Sequence, residues 1–367
     1  MRKCTRVHFS DAGWKERGDL VTRKEVAELA TVSEATVSRV FNGVGPMKPA
    51  TKERVLAAAQ TLGYHPNAIA QSFARRRSGN LGVVLPYMPK VHLFSTYYFA
   101  EILSGIGEQC RKEGYDLLLS LLPTDEELDY TQLYRSQKVD GCVILGARDT
   151  PEQRRSLEEL KAQGLPFCLV NQRFEGLPLL EVDADHVEGS YLAVRSLLAD
   201  GYRRIAFMNG SPDYSNSVDR LAGYRQALLE AGIAAQPELL LEGNYSRTSG
   251  YKAAAEVWAM RDRIDAIFAA NDRMAIGLMQ GLRERGWLAG RDFAIIGCDD
   301  SDAAKLSDPP LSTIHVPFFE MGKAAARAVL ASIGHGEPGS GQQLKLPTQL
   351  IVRQSSRRAA GAEHGRE

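Results

Sequence analysis

Two textures of hydrophobic spacing divide the chain. Between Thr22 and Gly63 apolar residues recur at helical intervals, whereas from Asn80 onward they come in unbroken runs of strand length separated by helical stretches. In the first region Val26, Leu29 and Ala30 predict one apolar face, and Thr22 with Glu25 fits a capping box that starts the helix. That helix is expected to end near Thr31. Ser33 can cap a second helix with Val37, Val40 and Phe41 on its inner side, broken by the glycines and prolines of "NGVGPMKP" (42–49). A third is expected after Thr51, with Val55, Ala58, Ala59 and Leu62 inward and Gly63 as its stop. Faces this short are buried only against one another, which gives an all-α head of about 45 residues, near the lower limit for independent folding.

The second helix has an odd outer side. Glu34, Ala35, Ser38, Arg39 and Asn42 make a face that is small, polar and rich in hydrogen-bonding groups, and the β-branched residues around it are poor helix formers. Beyond the third helix, "HPNAIAQSFARRRSGN" (65–80) has a weak helical pattern followed by three arginines and a Ser-Gly break. So short a helix is marginal alone in water and is expected to order only on a partner. Residues 1–20 show no period and read as a disordered extension, as do 357–367 at the other end.

The runs of the body include "LGVVLP", "YDLLLSLL", "GCVILG", "PFCLV", "RIAFMNG", "AIFAAND" and "FAIIGCDD". Continuous rather than alternating apolar runs imply strands covered on both faces, hence parallel sheets wrapped by helices. Several runs end in polar residues: Asn171, Asn209, Asn271 with Asp272, and Asp299 with Asp300. Ligands of open α/β sheets bind outside the carboxyl ends of the strands, so these are pocket candidates. The body is too long for one small sheet, and two lobes with a cleft between them fit it.

Composition adds less than charge. With 44% hydrophobic and 25% charged residues the chain is an ordinary soluble type, and it has no apolar run of the ~20 residues that span a membrane. Its basic start lacks the apolar core of a signal peptide, so a cytoplasmic location is expected. Formal net charge is zero. That balance conceals a basic head, with 14 lysines and arginines against 7 acidic residues in 1–80, on an acidic body with 31 against 38. Such a split suits nucleic-acid contact by the basic part, and solvated surface is the plain alternative. Five scattered cysteines without a CxxC pair, and seven histidines without HxxxH spacing, suggest packing rather than metal or redox chemistry. No metal or cofactor is expected.

The stretch "VTRKEVAELATVSEATVSRVFNG", with "TKERVLAAAQTLGYHPNAIAQSF" after it, resembles the DNA-binding head and hinge of the LacI/GalR family of bacterial repressors. The resemblance continues through "GYRRIAFMNG", "DRLAGYRQAL", "AIFAANDRMAIGLMQGL", "DFAIIGCDDSDAAKLSDPPLSTIHVP" and "LPTQLIVRQSS", in the family's order. It implies a helix-turn-helix domain at 21–64, a hinge at 65–79, and a two-lobed effector-binding and dimerisation domain at 80–356, similar to periplasmic binding proteins. The odd face of the second helix then lies in the major groove. By resemblance Glu34 and Ala35 take the first base-reading positions and Arg39 the third. Arginine can hold guanine O6 and N7, alanine can touch a thymine methyl, and glutamate can accept from cytosine N4. Ser33, Thr36, Ser38 and Asn42 suit phosphate. Asn67, Ala70 and Phe73 belong to the hinge, where Phe73 stands in place of the family's usual leucine wedge between base steps. Thr31 replaces the usual glycine of the turn and is strained if the turn needs positive φ.

In the body the resemblance assigns Arg220 to ligand hydroxyls, Asn271 and Asp299 to further polar contacts, Tyr245 to stacking on a sugar ring, and Asn171 to a position where aspartate is common. Asp272 is expected to support its turn rather than touch ligand. The implied protein is a non-enzymatic, homodimeric regulator, with pairing into tetramers left open. It binds a roughly palindromic operator, represses carbohydrate genes, and answers to a small sugar-like effector. Some relatives answer instead to purines, nucleosides or a protein partner. A solute-binding protein is the alternative for 80–356 alone. Against an enzyme stands the absence of GxGxxG after a strand, of GxxxxGK[ST], and of any nucleophile–base spacing.

Overall fold

The computed structural model describes residues 21–66, 77–88, 93–123, 128–334 and 341–357. The extension 1–20, the hinge residues Asn67, Ala70 and Phe73, and the tail from 358 lie outside the described residues. Two compact units result, Met1–Ser78 and Gly79–Glu367.

Within the head, helix α1 runs Arg23–Ala30, α2 Glu34–Asn42 and α3 Pro49–Leu62. The capping box forms as read: the Glu25 amide donates to Thr22 Oγ1, and the Thr22 amide donates to the Glu25 carboxylate at 2.6 Å. Ser33 caps α2, accepting from the Thr36 amide at 3.2 Å. Two expectations are corrected. The buried face of α1 is Val26, Ala27 and Ala30, and Leu29 is exposed, because the helix is rotated so that the i, i+1, i+4 side rather than the i, i+3, i+4 side packs inward. Helix α3 starts two residues before Thr51, with Pro49 at its first turn, where a missing amide costs nothing. Thr31 ends α1 in the left-handed region at φ 53°, so the turn does demand a conformation that a β-branched residue resists.

The body holds two six-stranded sheets. One contains β1 (Asn80–Tyr87), β2 (Asp116–Pro123), β3 (Gly141–Leu145), β4 (Phe167–Val170), β5 (Glu181–Ala184) and β11 (Gln343–Leu346), in the order β11-β5-β4-β3-β1-β2. The other contains β6 (Ile205–Asn209), β7 (Leu240–Glu242), β8 (Ala266–Ala269), β9 (Ala294–Asp299), β10 (Ser312–His315) and β12 (Gln349–Ile351), in the order β12-β10-β9-β8-β6-β7. All described pairings are parallel except β10 with β12. The continuous apolar runs therefore did report parallel, helix-covered strands. One did not: β2 is an edge strand, and its alternate residues Leu117, Leu119 and Leu121 are 37–46% exposed while Leu118 and Leu122 pack inward.

Helices cover the sheets: α4 (Tyr97–Glu113), α5 (Thr131–Arg135), α6 (Pro151–Ala162), α7 (His186–Ala199), α8 (Ser215–Glu230), α9 (Arg247–Ala259), α10 (Asp272–Arg283), α11 (Asp302–Leu306) and α12 (Phe318–Ser332). Close approach sets some of their sequence. A Cβ at Gly105 of α4 would lie 2.0 Å from the Phe319 carbonyl oxygen of α12, and one at Gly322 would lie 2.2 Å from that of Ile102. The chain crosses between lobes after β5, after β10 and between β11 and β12. The first and third of these crossings are tied together: the Asp185 amide donates to the Leu346 carbonyl, and Thr348 Oγ1 donates to the Asp185 carbonyl at 3.0 Å.

Two predictions follow from this architecture. Thr31→Gly relieves the left-handed turn and should raise head stability by about 1 kcal/mol, read from amide exchange of α1–α3; unchanged or faster exchange contradicts it. Burial pushes the Glu181 carboxyl up to about 7, against a bond from Gln343 of the neighbouring strand. A raised carboxyl contributes stability at low pH that is lost as pH rises through that value. Glu181→Gln should therefore gain stability relative to the parent between pH 5 and pH 8, as measured by denaturant unfolding, and a constant difference would contradict the burial argument.

Candidate functional site

The carboxyl ends of β4, β6, β8 and β9 converge on one cleft between the lobes. Arg220, on α8, is its centre. The side chain is 3% exposed; its Nη1 donates to Asn216 Oδ1 at 2.9 Å and lies 3.5 Å from the Tyr245 hydroxyl. Its Nε is buried without a protein partner. Asn209, at the end of β6, donates from Nδ2 to the Ser217 carbonyl at 3.0 Å, and its Oδ1 is likewise buried and unpartnered. An orphan donor and an orphan acceptor at the ends of a sheet are costly unless something else satisfies them.

Backbone strain gathers here too. Asn171, Tyr245, Asp299 and Asp300 all take positive φ, between 60° and 129°. Non-glycine residues hold such angles only where their surroundings over-determine them, and such positions cluster at ligand clamps and switches. Asn171 is fixed by His186, whose Nε2 lies 2.6 Å from its Oδ1. Burial, and then the Arg220 charge, holds the His186 imidazole below its usual value, so the neutral ring donates to the amide oxygen. Asn271 caps α10 through the Met274 amide at 2.9 Å and donates from Nδ2 to the Tyr245 carbonyl at 3.0 Å, so it positions Tyr245. Tyr245 turns its hydroxyl to Ser217 and Asn216, while its ring lies over Gly210 and meets Tyr214 edge-on at 5.9 Å. Asp299 is buried, and burial followed by the charge of Asp272 raises its carboxyl far above the usual range, opposed by Arg220. Asp272 is buried and bonds neighbouring elements rather than its own turn, accepting from the Ser301 amide and hydroxyl at 2.8 Å and from Thr313 of β10 at 2.6 Å. Thus Arg220, Tyr245 and Asp299 share one site, while Asn171 and Asn271 brace it.

A seam that sequence reading missed closes one side of the cleft. It joins residues 148–149 and 171–173 of one lobe to 213–219 of the other. Arg173 holds Asp219 through two parallel bonds of 2.5 Å, and its amide donates to Ser215 Oγ at 3.0 Å. The Ser215 amide donates to Gln172 Oε1 at 2.8 Å, Asn216 Nδ2 to the Asn171 carbonyl at 2.9 Å, and the Asp149 amide to the Asp213 carbonyl at 2.9 Å. Arg148 pairs with Asp213. Gln172 and Arg173 follow a strand end directly, so the rule that found Asn171 reaches them as well. The partners on α8 carry no such signal.

On the head, Ser33, Glu34, Ala35 and Arg39 are exposed along one side of α2, while Val37 and Val40 are buried on the other. Thr36 bonds Ser33 through its hydroxyl at 2.9 Å, Ser38 accepts from Asn42 Nδ2 at 3.2 Å, and Glu34 lies 4.0 Å from Arg23. Among the described residues no cluster of three histidine, cysteine or acidic side chains could hold a metal, and no helix is long and apolar enough to cross a membrane.

Comparison with known proteins covers both head and body. Residues 22–67 match the model for bacterial regulatory proteins of the lacI family, and 194–356 match a periplasmic binding protein-like domain. Catabolite control protein A of Priestia megaterium is 31% identical over 92% of this chain and 99% of its own. The transcriptional regulator CelR of Thermobifida fusca is 34% identical over 93% and 99%. Among solved structures, the CelR–cellobiose complex aligns with a TM-score of 0.69 at 33% identity, covering 91% of this chain and 99% of that one. The Lac repressor dimer bound to operator and the anti-inducer ONPF gives 0.79 at 28% identity, covering 92% and 99%. With this likeness running through head and body alike, the chain belongs to the LacI family of DNA-binding transcriptional regulators.

Proposed function

We propose that this regulator is a cytoplasmic, homodimeric repressor of carbohydrate genes whose grip on its operator is set by a sugar closing the cleft around Arg220. The observation that carries the reading is the pair of unpartnered buried groups, Arg220 Nε on α8 and Asn209 Oδ1 at the end of β6, beside the positive-φ residues Tyr245 and Asp299. A sugar hydroxyl both donates and accepts, so a polyol satisfies both, and a guanidinium fork suits neighbouring hydroxyls. A purine is the second reading, favoured by the tyrosines around the cleft: Tyr214, Tyr245, and Tyr98, whose hydroxyl bonds Asn171. The solved relatives include a cellobiose complex, and the curated ones the transcriptional repressor PurR of Vibrio atlanticus.

The site is built to bind rather than react. Burial holds its histidine below the usual value, with Nε2 bonded to the Asn171 amide and 3.4 Å from the Asp183 carboxylate, and burial pushes the Cys298 thiol up to about 12. For the dimer, each lobe offers apolar surface: Leu117, Leu119 and Leu121 on one, and Tyr251 with the 85%-exposed Leu306 on the other. Twofold symmetry then calls for a roughly palindromic operator. Glu34, Ala35 and Arg39 read bases, while Ser33, Thr36, Ser38 and Asn42 set the helix against phosphates. The segment 65–79 acts as the hinge between head and body.

The effector works by binding two lobe arrangements unequally. Asp299 and Asp300 provide the route: Asp299 faces Arg220, and Asp300 pairs with Arg353, just after β12, and at 3.3 Å with His315, beside the lobe crossing after β10.

Selection of random duplex DNA by the purified protein, repeated with sugars and nucleosides, tests the reading. A palindrome whose recovery shifts with one sugar supports it; recovery shifted only by a nucleoside moves the purine reading to first place. Arg39→Ala should cost about 1–3 kcal/mol of discrimination at one base pair, and equal discrimination would remove Arg39 from base reading. Arg220→Ala should keep operator affinity and abolish the effector response; a preserved response would place the effector elsewhere.

A further inference from the structure

Outside the seam lies an open groove of about 540 Å³ with walls from both lobes. That volume is in the range of small-molecule sites. Its apolar floor is Phe174, Leu177 and Pro178 from the loop after β4, and Pro212 and Val218 from the opposite lobe. Arg220, Asn216, Tyr245 and Asp299 do not line this groove, so it is separate from the cleft, and Arg173, which does line it, is bonded to Asp219.

Apart from Glu175, the charges in its walls are already matched. Asp149 is held by Arg154 through bonds of 2.6 and 2.7 Å, Asp213 by Arg148, and Arg173 is committed to Asp219. Among the described lining residues no spare cation is left to attract a phosphate or carboxylate. What remains is a rim of acceptors: the second lone pairs of Asp149 and Asp213, the Glu175 carboxylate, and Gln343 Oε1, since Gln343 Nε2 donates to Glu181. Acceptors around an apolar floor call for a neutral ligand that donates many hydrogen bonds from its edge and has an apolar face. That is a pyranose unit.

We propose that this groove is a second saccharide site, distinct from the cleft, in which a neutral glycosyl unit bridges the lobes over the seam. A ligand held by 174–178 on one lobe and 212–218 on the other favours the closed arrangement, so it strengthens effector binding in the cleft.

The test is calorimetric titration of the full chain with glucose, maltotriose, cellotriose and glucose 6-phosphate. It uses the parent, Arg220→Ala, Val218→Trp, and the double variant. Val218 is half exposed on the surface of α8, so tryptophan fills the groove without entering the core; Val218→Glu, which adds charge beside Glu175, serves if tryptophan disturbs folding. The expected result is that Arg220→Ala still binds a neutral saccharide, that adding Val218→Trp or Val218→Glu weakens this binding at least tenfold, and that glucose 6-phosphate does not bind Arg220→Ala. Loss of all saccharide binding in Arg220→Ala overturns the second site and leaves the cleft reading intact. Equal binding by Arg220→Ala and the double variant overturns it as well. Identical titrations of parent and Arg220→Ala, with loss on altering Val218, would uphold the groove and sink the cleft reading instead.

Discussion

A guanidinium buried between two lobes governs the rest of the body. Taking a cation out of water costs several kcal/mol unless it is surrounded by hydrogen bonds and opposite charge. Arg220 is met by groups that the fold must bring together: Asn216 one turn away on its own helix, Tyr245 from the loop before α9, and at the end of β9 the carboxyl of Asp299, whose charged form Arg220 favours against burial and Asp272. Holding those groups in place explains features that look unrelated. Tyr245 and Asp299 are driven to positive φ, and Asn271 spends its whole amide on capping α10 and fixing the Tyr245 carbonyl. Even so, the buried Nε donor of the guanidinium is left without a partner, and a ligand hydroxyl is the kind of group that satisfies it.

The closed side of the cleft rests on a different balance. Arg173 with Asp219 and Arg148 with Asp213 are pairs at partial burial, where Coulomb attraction is stronger than at an open surface and desolvation is incomplete. Backbone donors at Asp149, Arg173 and Ser215 add bonds that need no side-chain ordering. Such a seam can open without exposing an apolar core, which suits an element with two arrangements rather than one.

How far the sequence could be read depended on how local each signal was. Capping at Thr22 and Ser33, and the strained turn at Thr31, are decided within four residues, and all three were legible. The parallel sheets were legible wherever a strand is covered on both faces. They failed at β5, where Glu181 and Asp183 are buried in the lobe-crossing region and disguise a strand as loop, and at the polar edge strands β11 and β12. At β2 the run of leucines looked doubly covered although one face is open, because composition does not say which strand lies at an edge. Leu29 was misplaced for a similar reason: helical spacing gives an apolar stripe, and only tertiary packing says which half of it is used. In the cleft, strand-end polar residues pointed to Asn171 and Asp299. The partners Asn216, Asp219 and His186 arrive from helices packed across the site, and no spacing in the chain announces them.

The central claim is that cleft and operator are two sites on one equilibrium. Linkage makes it measurable, since any factor by which the effector changes operator affinity must equal the factor by which operator changes effector affinity. The direct measurement is the dissociation constant of the selected effector, by calorimetry, for the free protein and for the operator-bound protein. The account predicts a difference of about 5–150-fold, equal to the change in operator affinity seen on adding effector. Identical effector affinities in the two states would show that closing the cleft and holding DNA are independent.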